Sequence, residues 1–391
     1  MKATNRRSLA TATAIATVLG VAALLTPFTA AAQVKIGVVT SATGAAAFVG
    51  IPQKNTVALL PKSVGNVSIE YEYYDDATDA TQSVQLTKRL LAEPIDAFIG
   101  PSDSAVSMGV LGFLAEAQTP MLAPVGTQAV VTPMDDKKRW VFKTHPNNDV
   151  MGDALVQHMV KSRVKTVGFI GRADPYGESW FKAMEPMWKA AGIQVVANER
   201  YLRTDTSVTA QVLKLIAAKP DAVMVGGVAA DAALPNVQLV DSGYKGRIYH
   251  THGAASPDFI RIGGKKVEGA IITAPWLLVV DQMPDGVPLK KVATNYVNAY
   301  EKTYGVRPPI FGAGVNDASL LLQNAIPEAL KKAKPGTTQF RIALRDALEA
   351  TKGVLSSQGV INMTATDHSG FAQHARVLVT VKDGKFTLLH D

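Results

Sequence analysis

From Val34 onward, short runs of β-branched and apolar residues alternate with amphipathic stretches, and this alternation restricts the fold more than any other feature of the chain. The runs at 34–40, 67–74, 97–99, 166–170, 194–197, 222–225 and 246–250 read as strands. Between them, 81–92, 151–161, 177–191 and 208–218 carry the apolar spacing of helices packed on one face. Parallel strands need a crossover, and a helix of this length supplies it, so the sheets are expected to be parallel and covered on both faces. The resulting fold class is α/β, built from doubly wound parallel-sheet lobes. With 391 residues, the chain exceeds what one core serves well, so two lobes are expected.

The segment 140–146 is extended and separates the first set of units from a second set that runs to about Thr273. Beyond Trp276 the pattern turns helical at 289–304, 311–333 and 338–351, then ends in a hairpin, 375–381 with 385–389, around Asp383-Gly384. This order predicts one lobe from 33–143 and 274–358 and the other from 144–273 and 359–391.

The first 32 residues carry Lys2, Arg6 and Arg7, an apolar stretch from Leu9 to Leu25, and Ala30-Ala31-Ala32 ahead of Gln33. That sequence reads as a secretory signal peptide cleaved after Ala32, and the apolar stretch, interrupted by three threonines, is short for a membrane span. A periplasmic location is expected. There are no cysteines, so disulfides are excluded. Removing the three basic residues of the leader lowers the formal net charge from +7 to +4, with no clustered basic run, which argues against nucleic acid.

Two strand-to-turn segments carry the chemistry: Ile99-Gly100-Pro101-Ser102-Asp103-Ser104 and Ala123-Pro124-Val125-Gly126-Thr127. Free N–H groups at a helix start, with Ser or Thr hydroxyls beside them, hold a carboxylate without a buried cation. In α/β sheets such turns lie at the carboxyl ends of strands, where ligands bind. Ser104 is equally a good N-cap, and Thr127 an ordinary loop residue.

These turns, together with Val34-Lys35-Ile36-Gly37-Val38-Val39, Tyr74-Asp75-Asp76-Ala77-Thr78-Asp79, Asp174-Pro175-Tyr176-Gly177-Glu178 and Pro220-Asp221-Ala222-Val223, stand in an order that resembles a known family. The chain is similar to the periplasmic solute-binding proteins of the leucine/isoleucine/valine type, which feed ATP-driven importers. The resemblance implies two α/β lobes joined by three crossover segments and a ligand held in the cleft by hinge closure. It implies no enzymatic activity, no cofactor, no metal, a monomer, and an inner-membrane permease as partner. It places the ligand carboxylate on Ser104, Thr127 and the backbone of Val125 and Gly126, with Tyr176 closing over it from the second lobe.

One position departs from the amino-acid-binding pattern. Where those proteins place an acidic residue for the ligand ammonium, after the strand ending at His250, this chain has His252. A neutral imidazole offers one acceptor and a charged one repels a cation. The expected ligand is therefore a carboxylate without an α-amino group, an aromatic or 2-keto acid such as benzoylformate. Phe48, Val228 and Trp276 are expected to form the apolar wall beyond the acid. Branched-chain amino-acid binding, and ligand sensing for a membrane receptor, are the competing readings. Catalysis lacks a residue set: a cysteine nucleophile is excluded, His250 and His252 have no third partner at metal-site spacing, and Gly263-Gly264-Lys265-Lys266 lacks the spacing of a P-loop.

Overall fold

The computed structural model describes residues 33–390, and the expected leader, residues 1–32, lies outside them. Strands β1 (Gln33–Thr40), β2 (Ser63–Val64), β3 (Val67–Asp75), β4 (Ala97–Ile99), β5 (Met121–Ala123) and β6 (Val141–Lys143) form one sheet, ordered β2-β3-β1-β4-β5-β6. Only the short β2 is antiparallel to its neighbour. The second sheet takes β7 (Thr166–Arg172), β8 (Gln194–Tyr201), β9 (Ala222–Gly226), β10 (Arg247–His250) and β11 (Ile271–Pro275). After a small ribbon of β12 (Val354–Leu355) and β13 (Val360–Ile361), the chain returns to that sheet with β14 (Arg376–Lys382) and β15 (Lys385–Leu388), giving the order β15-β14-β11-β10-β9-β7-β8. The last two strands pair antiparallel, so this sheet is mixed.

Helices α1 (Ala47–Val57), α2 (Ala80–Leu91) and α3 (Ser104–Glu116) cross between strands of the first sheet. The second sheet is wrapped by α4 (Asn148–Lys161), α5 (Pro175–Ala190), α6 (Thr209–Ala217), α7 (Ala230–Asp241) and α8 (Pro257–Gly263). Three later helices follow: α9 (Pro288–Tyr304), α10 (Ile310–Leu330) and α11 (Thr338–Glu349).

The period of two along β1 shows why the first sheet is covered on both sides. Val34, Ile36 and Val38 pack with Val315 and Leu322 of α10 and Phe340 and Leu344 of α11. Val39 faces the opposite layer with Leu90 of α2 and Val110 and Leu114 of α3. Ile361, Met363 and Phe371 share the first of these cores, whereas Val377, Val379 and Val381 join the core of the second sheet. The chain thus passes between the sheets after Lys143, after Pro275 and before Arg376.

Strand order reverses beside β1, which is flanked by β3 and β4, and beside β7, flanked by β8 and β9. At such switch points the helices leave on opposite faces and the carboxyl ends of the strands stand open.

Candidate ligand-binding cleft

The two sets of carboxyl ends face one narrow cavity between the lobes, partly open to solvent. From the first lobe it is lined by Phe48 after β1, Ser102 to Ser104 after β4, Pro124 and Gly126 after β5, and His145 after β6. The second lobe contributes Arg172 at the end of β7, Tyr176 of α5, Arg203 after β8, Val228 after β9 and His252 after β10. Ile310 and Phe311 close one side, and the Phe311 ring meets Phe48 edge-on with centroids 6.1 Å apart.

Of the residues singled out from sequence, Ser104, Gly126, Tyr176, Val228, His252 and Phe48 line this cavity. Ser104 is not the cap of α3. Asp103 takes that role, its Oδ1 accepting from the N–H groups of Ala105 (2.9 Å) and Val106 (3.4 Å), which leaves the Ser104 hydroxyl to the cavity. Val125 is buried behind Gly126 and does not line the space. Thr127 is fully buried too, and its hydroxyl is committed: it donates to Pro175 O across the lobes (3.1 Å) and accepts from Ala129 N–H (3.2 Å). Trp276 is elsewhere. The antiparallel arrival of β14 beside β11 sets its indole over that crossing, where Nε1 donates to His374 O (3.2 Å), in a groove with Met283, Val287 and Val360.

Tyr176 of the second lobe packs against Gly126 of the first. Its hydroxyl shares a hydrogen bond with Thr251 Oγ1 (2.8 Å) and accepts from Gly253 N–H (3.1 Å). The ring lies so close to Gly126 that a Cβ there would stand 2.4 Å from Cε2, so this position tolerates only glycine while the lobes are together. Gln128 N–H adds a second crossing, donating to Ser179 Oγ at 3.1 Å.

A charged cluster, not read from the sequence, spans the same gap. Asp103 of the first lobe pairs with Arg203 of the second and lies 3.9 Å from Arg172 Nη2. Arg172, buried at the end of β7, also pairs with Asp174 and stands 3.5 Å from Asp231. Burial alone would raise the Asp103 carboxyl, but Arg203 and Arg172 outweigh it and hold the group below the usual carboxylate range. Among the described residues Asp103 is the one acidic side chain lining the cavity, and both its oxygens are engaged.

Opposite this cluster lie two imidazoles, His145 and His252, with ring centroids 6.4 Å apart. Burial and the charge of Lys143 push His145 down to about 4, and burial with Lys143 and His145 pushes His252 well below the ordinary histidine range. Both rings are therefore neutral at neutral pH. Lys143 itself is fully buried, its ammonium donating to the carbonyl oxygens of His145 (2.8 Å) and Pro146 (2.6 Å). His250, two residues before His252, is turned away and bonded to Asn236 Oδ1 (2.8 Å). Among the described residues no group of three His, Asp or Glu is placed to hold a metal ion.

The model of the periplasmic binding protein family matches residues 33–385. This chain belongs to that family. As a periplasmic binding protein it is a solute-binding protein and not an enzyme. Among solved structures, an extracellular ligand-binding receptor from Rhodopseudomonas palustris HaA2 is 41% identical, with 92% of this chain and 100% of that one covered and a TM-score of 0.87. The leucine-binding protein of Thermotoga maritima, 22% identical over 91% of this chain and 98% of its own, superposes with a TM-score of 0.78 and shows the shared fold. In sequence, a Leu/Ile/Val-binding protein homolog of Brucella melitensis is 24% identical over 317 residues, 78% of this chain and 84% of that protein.

Proposed function

We propose that this periplasmic binding protein takes a small carboxylate that lacks an α-amino group, an aromatic or 2-keto acid such as benzoylformate, and hands it to an inner-membrane permease of an ATP-driven importer. One observation carries the ligand class. The polar groups facing the cavity offer no carboxylate for an ammonium: Asp103 is spent on Arg203 and Arg172, and beyond Gly126 stand His252 and His145, neutral, with Lys143 buried behind them. An ammonium would enter this site without a countercharge, whereas the oxygens of an acid would meet the N–H and hydroxyl donors of the turns.

The acid end fits the Pro124–Gly126 turn and the Ser104 hydroxyl at the start of α3, where backbone N–H groups favour an anion. Phe48, Val228 and Phe311 supply the apolar wall for a ring or chain. Tyr176 closes the cleft from the second lobe, and the ligand stabilises the closed form by the contacts it gains there. Residues 1–32 act as a leader removed after Ala32, so the mature chain from the periplasm starts at Gln33, which intact-mass measurement checks.

A branched-chain amino acid is the second reading, favoured by the similarity to Leu/Ile/Val-binding proteins. A thermal-shift screen separates the two. Protein freed of co-purified ligand is tested against aliphatic amino acids, aromatic acids, 2-keto acids and dicarboxylates, and a rise in melting temperature confined to amine-free carboxylates is expected. Saturation at about 100 times Kd adds about 2.7 kcal/mol, well within reach of the assay. A response confined to leucine, isoleucine or valine overturns the proposal.

A further inference from the structure

One side chain in the cleft has its hydrogen-bonding sense dictated from outside. Gln358, fully buried, has its Nε2 2.9 Å from Thr144 O and 2.8 Å from Asp317 Oδ2, and its Oε1 2.7 Å from His145 Nδ1. A backbone carbonyl only accepts, so the group facing Thr144 O must be the amide NH2. The amide oxygen is thereby turned to His145, and Nδ1 must carry the ring proton. On a neutral ring Nε2 is then a bare lone pair. Asp317 anchors this orientation: it is buried and accepts from Ser357 N–H (2.7 Å) and Ser357 Oγ–H (2.7 Å) as well as from Gln358.

His145 lines the cavity and is 4% exposed, and its Nε2 has no partner among the described residues. Unlike the enclosed His252 Nδ1, Nε2 keeps accessible surface. Its place is also fixed, because a Cβ built on Gly314 would stand 2.7 Å from Nε2 and 2.8 Å from Pro124 Cβ. The lone pair therefore sits beside the turn assigned to the ligand carboxylate. A keto oxygen set against it puts acceptor to acceptor. An ammonium could donate, but Lys143 adds like charge there and no free carboxylate balances it.

We propose that His145 Nε2 accepts a hydrogen bond from a hydroxyl next to the ligand's carboxylate, so that the cleft favours 2-hydroxy acids over 2-keto acids of the same skeleton. This rests on the amine-free reading above. Gln358, Asp317 and Thr144 O act as positioning groups that keep the acceptor on the cavity side.

The test is titration calorimetry on ligand-stripped protein with four probes that share one skeleton: mandelate, benzoylformate, phenylacetate and phenylglycine. Mandelate is expected to bind at least about tenfold more tightly than benzoylformate or phenylacetate, since the latter two leave the buried acceptor unmet. In His145→Phe the ratio of mandelate to benzoylformate affinity should fall to about one. Benzoylformate equal to or tighter than mandelate in the parent protein overturns the inference and leaves the amine-free reading intact; phenylglycine as the tightest probe overturns that reading itself. Nitrogen-15 NMR of the parent protein reads the tautomer without any ligand. A His145 protonated at Nδ1 and bare at Nε2 supports the assignment, and the reverse tautomer refutes it even if all four probes fail to bind.

Discussion

Replacing Asp103 by Asn isolates the charge that ties the lobes together. Asn keeps an oxygen for the Ala105 and Val106 N–H groups, so the cap of α3 survives and only the ion pair with Arg203 and Arg172 is lost. Breaking a buried pair from one side costs about 3–5 kcal/mol. Here the penalty is smaller on two counts: Arg172 retains Asp174 and Asp231, and Arg203 is 20% exposed and can regain water. A loss of about 1–2 kcal/mol remains, and because the pair joins the two lobes it falls on the closed form. Ligand affinity should drop by roughly 5- to 30-fold. Titration calorimetry gives the affinity, and small-angle scattering of the ligand-free protein should show a larger radius of gyration. An affinity within about twofold of the parent, with unchanged scattering, would refute the idea that this cluster stabilises closure.

Three further changes test other parts of the account. Gly126→Ala puts a methyl group 2.4 Å from the Tyr176 ring, so closure must displace that ring; affinity should fall at least about tenfold with the unfolding midpoint little changed, which calorimetry and denaturation together check. Lys143 is pushed down to about 7 by burial, so between about pH 7 and 10.5 the unfolded chain binds more protons at this site than the folded one. Stability of the parent relative to Lys143→Met should accordingly rise with pH across that window, by up to about 1 kcal/mol per pH unit, in urea titrations; a flat difference contradicts a buried, strained ammonium. Trp276→Ala should leave ligand affinity within about twofold, because the indole lies in another groove.

The alternation of strand and helix was legible because it follows from local periodicity, and the helices from 288 onward and the last hairpin lie within a few residues of their expected places. Helices α1 and α7 were not read; each carries an interior proline, Pro52 and Pro235, but so do α5 (Pro186) and α10 (Pro327), which were read, so proline alone does not account for the omission. The turns that line the cavity could be found from composition. What could not be found is pairing over distance: Asp103 meets Arg203 across 100 residues, and Thr127 spends its hydroxyl on Pro175 O, which only the approach of two lobes brings within reach. Arg172 left one local sign, a charge ending an otherwise apolar strand. Trp276 was misplaced because, although β11 runs parallel to β10, its indole lies toward β14, where Nε1 donates to His374 O, a partner 98 residues further along the chain.

The most direct test of the central claim is a side-by-side titration of ligand-stripped protein with leucine and with an aromatic 2-oxygenated acid, benzoylformate or mandelate. The account predicts saturable binding of the acid and none of leucine at the same concentrations. Leucine binding as tightly as the acid, or more tightly, would contradict a cleft built from neutral imidazoles and committed carboxylates.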